Sequence, residues 1–179
     1  MNVIAFAGSS SKNSINKKLA AFAMSFFDEE NCELLDLNDF EVPIYSIDRE
    51  KEIGIPEKIT TFSHKIDNAD LVLISVAEHN GNYPAAFKSL YDWISRIPDR
   101  KVFNGTPVFL MTTSPGARGG ASSMEIASKR FPRDGAKLIS TYSLPNFFDN
   151  FKEGKIISSD FMEGFEQEIS KVKNYFLDK

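Results

Sequence analysis

The chain has 179 residues, 42% of them hydrophobic and 26% charged, with a formal net charge of −4. That length suits one packed domain, residues 1–179, and the composition is that of a globular protein rather than a disordered or fibrous one. The acidic balance and the scattered Lys and Arg argue against a nucleic-acid partner, and the apolar run Val3 to Ala7 is far too short for a signal-peptide core or a membrane span. We therefore expect a cytoplasmic protein with no membrane and no nucleic-acid partner.

Asn2 to Ala7 carries Val3, Ile4 and Phe6 in a short apolar run ended by Gly8, which predicts a buried first strand. Beyond a polar loop, Ile15, Leu19, Phe22 and Phe26 recur at steps of four, three and four, the spacing of a helix with one apolar face. Leu34 to Leu37 predicts a short second strand, and Pro56 opens a helix to about Asn68, since proline is tolerated in a first helical turn. Leu71 to Val76 predicts a strongly apolar third strand. After the polar segment Glu78 to Tyr83, Pro84 starts a helix whose Phe87, Leu90, Tyr91, Ile94 and Ile97 share a face until Pro98 ends it. Val108 to Thr113 is the fourth strand, followed by a Gly-rich loop and a helix from Ser122 to about Phe131 that Pro132 stops. Leu138 to Tyr142 makes a fifth strand. In the last helix Phe161, Phe165, Ile169, Val172 and Phe176 form a stripe that packs on a sheet.

Cys32, the single cysteine, excludes an internal disulfide and any CxxC motif, and its apolar surroundings suit a structural thiol. His64 and His79 lack the i, i+4 spacing of a helical ligand pair, so no metal site is expected.

Strands alternating with helices call for a parallel sheet covered by helices on both faces, with right-handed crossovers. Five such units suggest a doubly wound five-stranded α/β fold of strand order 2-1-3-4-5. In that order a ligand lies beyond the carboxyl ends of the strands, at the switch point between strands one and three. The loops that meet there are Gly8 to Asn16, Glu78 to Tyr83 and Ser114 to Gly120.

The first of these offers four serine hydroxyls and two Asn amides just before a helix whose free N–H groups and positive dipole end favour an anion. It lacks the GKS or GKT ending of a nucleoside-triphosphatase loop, and one glycine cannot supply GxGxxG, so a monophosphate fits best. Ser14 also suits a helix N-cap. Glycines at 116, 119 and 120 in the third loop permit close approach of the backbone to a ligand.

With these motifs the chain resembles the NAD(P)H-dependent FMN reductase family of flavodoxin-like proteins, which includes quinone, azo-dye and chromate reductases. The family's Gly-Ser-x-Arg-x-x-Ser-x-Asn loop is matched by Gly8, Ser9, Ser14 and Asn16, with Ser11 at the arginine position and Lys12 beside it as a flexible point charge. The resemblance implies that this loop holds the FMN phosphate. A second family motif is similar to Ala77 to Trp93, where Glu78, Asn80, Pro84, Lys88, Asp92 and Trp93 match. It implies that Glu78, His79, Asn80 and Gly81 lie against the isoalloxazine, with Glu78 also open to a structural role. The third motif is kept at Ser114, Pro115, Gly116, Gly119 and Gly120, which implies a flavin border. Arg118, a charge inside that loop, is a candidate modulator of the ring or a contact for the nucleotide's phosphate.

Overall the resemblance implies an enzyme with FMN as cofactor and NADPH or NADH as co-substrate. It implies ping-pong transfer of hydride to FMN and on to a small acceptor such as a quinone, free flavin, azo compound or metal oxyanion. No side-chain catalytic constellation is needed, because the cofactor carries the difficult chemistry. A flavodoxin-type electron carrier and a non-catalytic FMN- or ligand-binding module are the alternatives. The resemblance also implies a homodimer or homotetramer. The segment Asn38 to Ile55 and the aromatics Phe147, Phe148 and Phe151 are too long or too apolar for plain connectors, so we expect the Trp93 helix, with these segments, at a subunit interface, a flap within the monomer being the alternative.

Overall fold

A computed structural model describes residues 1–177. Its main sheet has five strands, β1 (Val3–Gly8), β2 (Cys32–Leu35), β3 (Leu71–Val76), β4 (Pro107–Thr113) and β5 (Lys137–Leu144), all parallel and in the order β2-β1-β3-β4-β5. This is the doubly wound order expected from the alternation of elements. A small antiparallel hairpin, β6 (Phe151–Lys152) with β7 (Lys155–Ile156), follows β5.

Among the described residues seven α-helices accompany the strands: α1 (Ile15–Met24), α2 (Ile47–Ile53), α3 (Glu57–Asp67), α4 (Ala85–Ile94), α5 (Ala121–Arg130), α6 (Phe147–Asn150) and α7 (Ser159–Leu177). Successive side chains of a strand point to opposite faces, and this divides the core in two. From β1, Val3 and Ala5 join α1 and α7 residues such as Leu19, Phe165 and Ile169 in one cluster. Ile4 and Phe6 join Ile59, Phe62, Phe87 and Trp93 of α3 and α4 in the other. The α7 stripe thus packs on the sheet, with Tyr142 of β5 donating its hydroxyl to the Phe161 carbonyl at 2.8 Å.

Three elements differ most from their sequence-based bounds. Helix α4 ends at Ile94 rather than running to Pro98, with Ile97 in a turn beyond it whose N–H donates to the Ile94 carbonyl. The second strand runs Cys32–Leu35 rather than Leu34 to Leu37, because pairing with β1 begins at Val3↔Cys32 and ends at Phe6↔Leu35. Asp36 then caps a 3-10 turn over Leu37–Phe40, accepting from the Asn38 N–H. Leu37 is apolar because that turn buries it, not because it extends the strand. The fifth strand is longer than Leu138 to Tyr142, reaching Leu144 opposite Thr113. Cys32 pairs with Val3 at the sheet edge, half-buried, and burial pushes its thiol pKa up.

The segment Asn38 to Ile55 is a strap across α4. The indole of Trp93 donates to the Pro43 carbonyl at 2.7 Å, and the Tyr45 N–H donates to Ser89 Oγ at 3.1 Å. Trp93 is consequently 0% exposed and turned inward. The apolar surface of this face is presented instead by Ile44, Ile47 and Ile53.

Candidate functional site

The site begins at the start of α1. Ser14 is the N-cap, its hydroxyl accepting from the Lys17 N–H, and the first main-chain helical bond is Lys18 N–H to the Ser14 carbonyl at 3.2 Å. The N–H groups of Ile15 and Asn16 therefore precede the helical ladder and have no partner among the described residues. They carry the positive end of the helix dipole toward the loop above. Ser9 is buried, and its hydroxyl accepts from the Ser11 N–H at 3.3 Å, which curls the loop around that helix start.

Gly8 has a packing reason: an added Cβ would lie 3.1 Å from Cγ of Phe87 on α4. Asn16 is 3% exposed and ties α1 to two strands of the sheet. Its Oδ1 accepts from Ser75 Oγ at 2.8 Å and from the Thr113 N–H at 3.2 Å, while its Nδ2 donates to the Thr113 carbonyl at 3.2 Å. The side-chain amide is thus occupied by the tips of β3 and β4, and what Asn16 presents to the loop is its main-chain N–H. The sequence carried a signal for this, since Asn16, Leu19, Ala20 and Ala23 fall on one helical stripe and all four are buried.

The second loop makes a tight turn. His79 N–H donates to the Asn82 carbonyl at 2.9 Å and Asn82 N–H returns to His79 at 3.2 Å. Asn80 and Gly81 between them have φ of 53° and 77°. Two successive positive φ values define a type I′ turn, for which Asn-Gly is the favoured pair. Glu78 has a structural partner not apparent from the sequence. Its Oε2 accepts from the Ser122 and Ser123 N–H groups at 2.8 and 3.1 Å, capping α5. Ser123 Oγ donates to the Ala77 carbonyl at 3.0 Å beside it, so the second loop and the helix after β4 are locked together.

In the third loop Ser114 Oγ donates to the Gly116 carbonyl at 3.1 Å, and that carbonyl also accepts from Gly119 and Asn146. Gly119 has φ +59°, and a Cβ there would meet Ser143 Oγ at 2.3 Å. Gly116 is different: its φ is not positive, and a Cβ would meet nothing within 4 Å. The fold itself gives no reason for glycine at 116. Arg118 is exposed, with its Nη2 3.0 Å from Ser122 Oγ.

A cleft of about 190 Å³ opens where the loops meet. Of the residues expected in the site, Ser9, Ser11, Ser14 and Asn16 line it from the first loop, with Glu78, His79 and Pro115 from the other two. Asn13, Thr113 and Phe148 line it as well. Gly8, Asn80, Gly81, Ser114, Gly116 and Gly119 shape the loops without lining this cleft. The aromatic segment after β5 splits in its roles. Phe147 and Phe151 are buried and stack at 4.7 Å, whereas Phe148 is 62% exposed at the cleft's edge.

The basic residues of the first loop and α1 are absent from this lining. Lys12 is exposed and does not line the cleft, and Lys17 pairs with Asp36. Hydrogen bonding from Lys17 holds the Asp36 carboxyl below its ordinary value. No helix among the described residues is long and apolar enough to cross a membrane.

Residues 1–147 match the family described as NADPH-dependent FMN reductase. The MG342 homolog of Mycoplasma pneumoniae is 30% identical over 145 residues, spanning 79% of this chain and 85% of that protein. A quinone reductase of Escherichia coli is 37% identical over 81 residues, spanning 45% of this chain and 43% of that protein. Among solved structures, the Paracoccus denitrificans flavoenzyme FerB, an NAD(P)H:(acceptor) oxidoreductase, superposes with a TM-score of 0.72 at 23% identity, covering 97% of each chain. That likeness establishes the fold. The family match, together with the strand order and the three loops at the switch point, leads to one conclusion: the chain belongs to the NADPH-dependent FMN reductase family, oxidoreductases that use FMN and a nicotinamide nucleotide.

Proposed function

We propose that this chain is an NAD(P)H oxidoreductase that binds FMN across the three loops and reduces a small acceptor, with a quinone favoured. The observation that carries the reading is the convergence, at the switch point, of an anion-ready helix start, a rigid Asn-Gly turn and a glycine-rich loop. Gly116 supplies an independent test of fit. Glycine is required there neither by φ nor by neighbouring protein atoms, and a flat ring lying close to the loop would require it.

The phosphate would be held by the N–H groups of Ile15 and Asn16 and the hydroxyls of Ser9, Ser11 and Ser14. Glu78, His79, Asn80 and Gly81 would flank one part of the ring, and Ser114, Pro115, Gly116 and Gly119 another. Glu78 keeps those two walls in fixed relation through α5, which favours a preorganised site. When bound, FMN supplies the two-electron chemistry, accepting hydride from the nucleotide and returning electrons to the acceptor in alternating, ping-pong fashion. Arg118, hydrogen-bonded to Ser122 outside the cleft lining, would meet negative charge on the ring or on the nucleotide's phosphates. The quinone reductases among the relatives support a quinone as acceptor.

Cytoplasmic location and assembly as a homodimer or homotetramer belong to the same proposal. The exposed Ile44, Ile47 and Ile53 on the strap over α4 offer the surface for assembly, and light scattering reports the mass.

The deciding experiment is the visible spectrum of the purified protein, loaded with FMN, before and after NADPH. Flavin absorbance that bleaches with NADPH and returns with a quinone supports the reading. A protein that cannot be loaded with FMN overturns it. Loading without NADPH turnover would instead mark an electron carrier.

A further inference from the structure

The cleft is charged in a way that its ligand makes unexpected. Among the described residues that line it there is no Lys and no Arg, and the one residue with a formal charge is an acid, Glu78. The nearby cations are accounted for otherwise, Arg118 included, which is exposed on the third loop with its Nη2 3.0 Å from Ser122 Oγ and is not in the cleft lining. Lys17, in the first turn of α1, is paired with Asp36. Lys18, the next residue, borders a separate apolar groove formed with Phe22, Phe147 and Phe151. Lys12 sits exposed on the loop and off the cleft wall. What remains at the helix start is neutral: the N–H groups of Ile15 and Asn16, and the hydroxyls of Ser9, Ser11 and Ser14.

Resting on the FMN reading above, we propose that this cleft recognises the flavin phosphate through neutral donors alone, so that discrimination of FMN from riboflavin does not depend on an ion pair. Hydrogen bonds from neutral groups to an anion act over one contact distance and are set by geometry. Pairing with a mobile cation acts over the Debye length and is screened by salt. With an overall charge of −4 and Glu78 on the wall, long-range electrostatics oppose the phosphate, and added salt relieves that opposition. Affinity for FMN relative to riboflavin therefore stays level or rises with ionic strength, the reverse of the trend for an ion-paired phosphate.

The test titrates FMN and riboflavin into the flavin-free protein by flavin fluorescence quenching, at about 0.02 M and about 0.5 M NaCl, a range that shrinks the Debye length several-fold. Riboflavin reports the ring's own salt response, so the readout is the ratio of the two dissociation constants. For the wild type the preference for FMN is expected to hold within about threefold or to grow with salt, and Lys12→Ala is expected to change it by less than about threefold. Ser11→Arg, which adds a cation to the cleft wall, is expected to raise the FMN preference about tenfold at low salt, with most of that gain lost at high salt and riboflavin binding unchanged. A wild-type preference that falls more than about threefold with salt, or that Lys12→Ala removes, overturns the neutral cradle while leaving FMN binding intact. Failure of both flavins to bind overturns the FMN reading itself.

Discussion

Replacing Asn16 by Ala tests whether the site is held in register from within the core. The substitution removes the acceptor of the Thr113 N–H, the donor to the Thr113 carbonyl and the acceptor of Ser75 Oγ, at a position 3% exposed. The Ser75 hydroxyl is free to rotate toward another acceptor, so the cost falls chiefly on the two main-chain groups of Thr113. At about 1–1.5 kcal/mol for each buried group left unpaired, the expected loss is about 2–3 kcal/mol. A water entering the vacated space recovers part of this and sets a lower edge of about 1 kcal/mol. Against a typical domain stability of roughly 5–15 kcal/mol the variant still folds, so the loss is measurable by urea denaturation. The buried Trp93 supplies a fluorescence probe and far-UV dichroism a second. Because Ser75 loses its acceptor in the variant, adding Ser75→Ala should cost less than it does in the wild type, by about 0.5–1.5 kcal/mol. A single-variant loss below about 0.5 kcal/mol, or strict additivity with Ser75→Ala, would show that the amide does not fasten β3 and β4 to α1. FMN affinity should fall along with stability, since the same bonds place the helix start beneath the loops.

The two glycines of the third loop should separate fold from ligand. Gly116→Ala has open space and an ordinary φ, so stability should stay within about 0.5 kcal/mol of wild type while FMN affinity drops; unchanged affinity would remove Gly116 from the proposed ring border. Gly119→Ala combines φ +59° with a 2.3 Å approach to Ser143 Oγ, so a destabilisation of about 2–4 kcal/mol is expected. Ser143→Ala should recover only part of it, because the Pro145 main-chain nitrogen also lies 3.2 Å from the added Cβ; complete recovery would contradict the backbone contribution. The Lys17–Asp36 pair makes a pH prediction. Asp36 is held below its ordinary value of 3.8, so its contribution is present above that pH and is lost as pH falls through the lower folded value. Both partners are about a third exposed, which limits the effect to less than about 1 kcal/mol, and acid titrations of wild type and Asp36→Asn should converge at low pH; a gap that widens on acidification would reverse the sign.

The sequence alone determined the layering and order of this fold, and the physical reason is periodicity. Leu71 to Val76 reads as a strand because all its side chains but that of Ser75 are apolar, as a parallel strand covered on both faces requires, and the observed β3 has those bounds. Prolines 56, 84 and 132 likewise punctuate helices that the structure starts or stops within a residue or two. The three polar loops were legible as the candidate site because strand order alone brings their starts to one edge. What each polar residue does there was decided only by the tertiary structure. Asn16 and Glu78 look in sequence like ligand contacts, yet the partners of their side chains, Thr113 and Ser122, lie 97 and 44 positions away. The positions of the cations were equally hidden. Lys12, Lys17 and Lys18 crowd the first loop in sequence, but Lys17 is drawn to Asp36, Lys18 borders a different groove and Lys12 is absent from the cleft lining. Local spacing fixes which face a side chain takes on its own element, while a long-range partner fixes what its polar atoms bind.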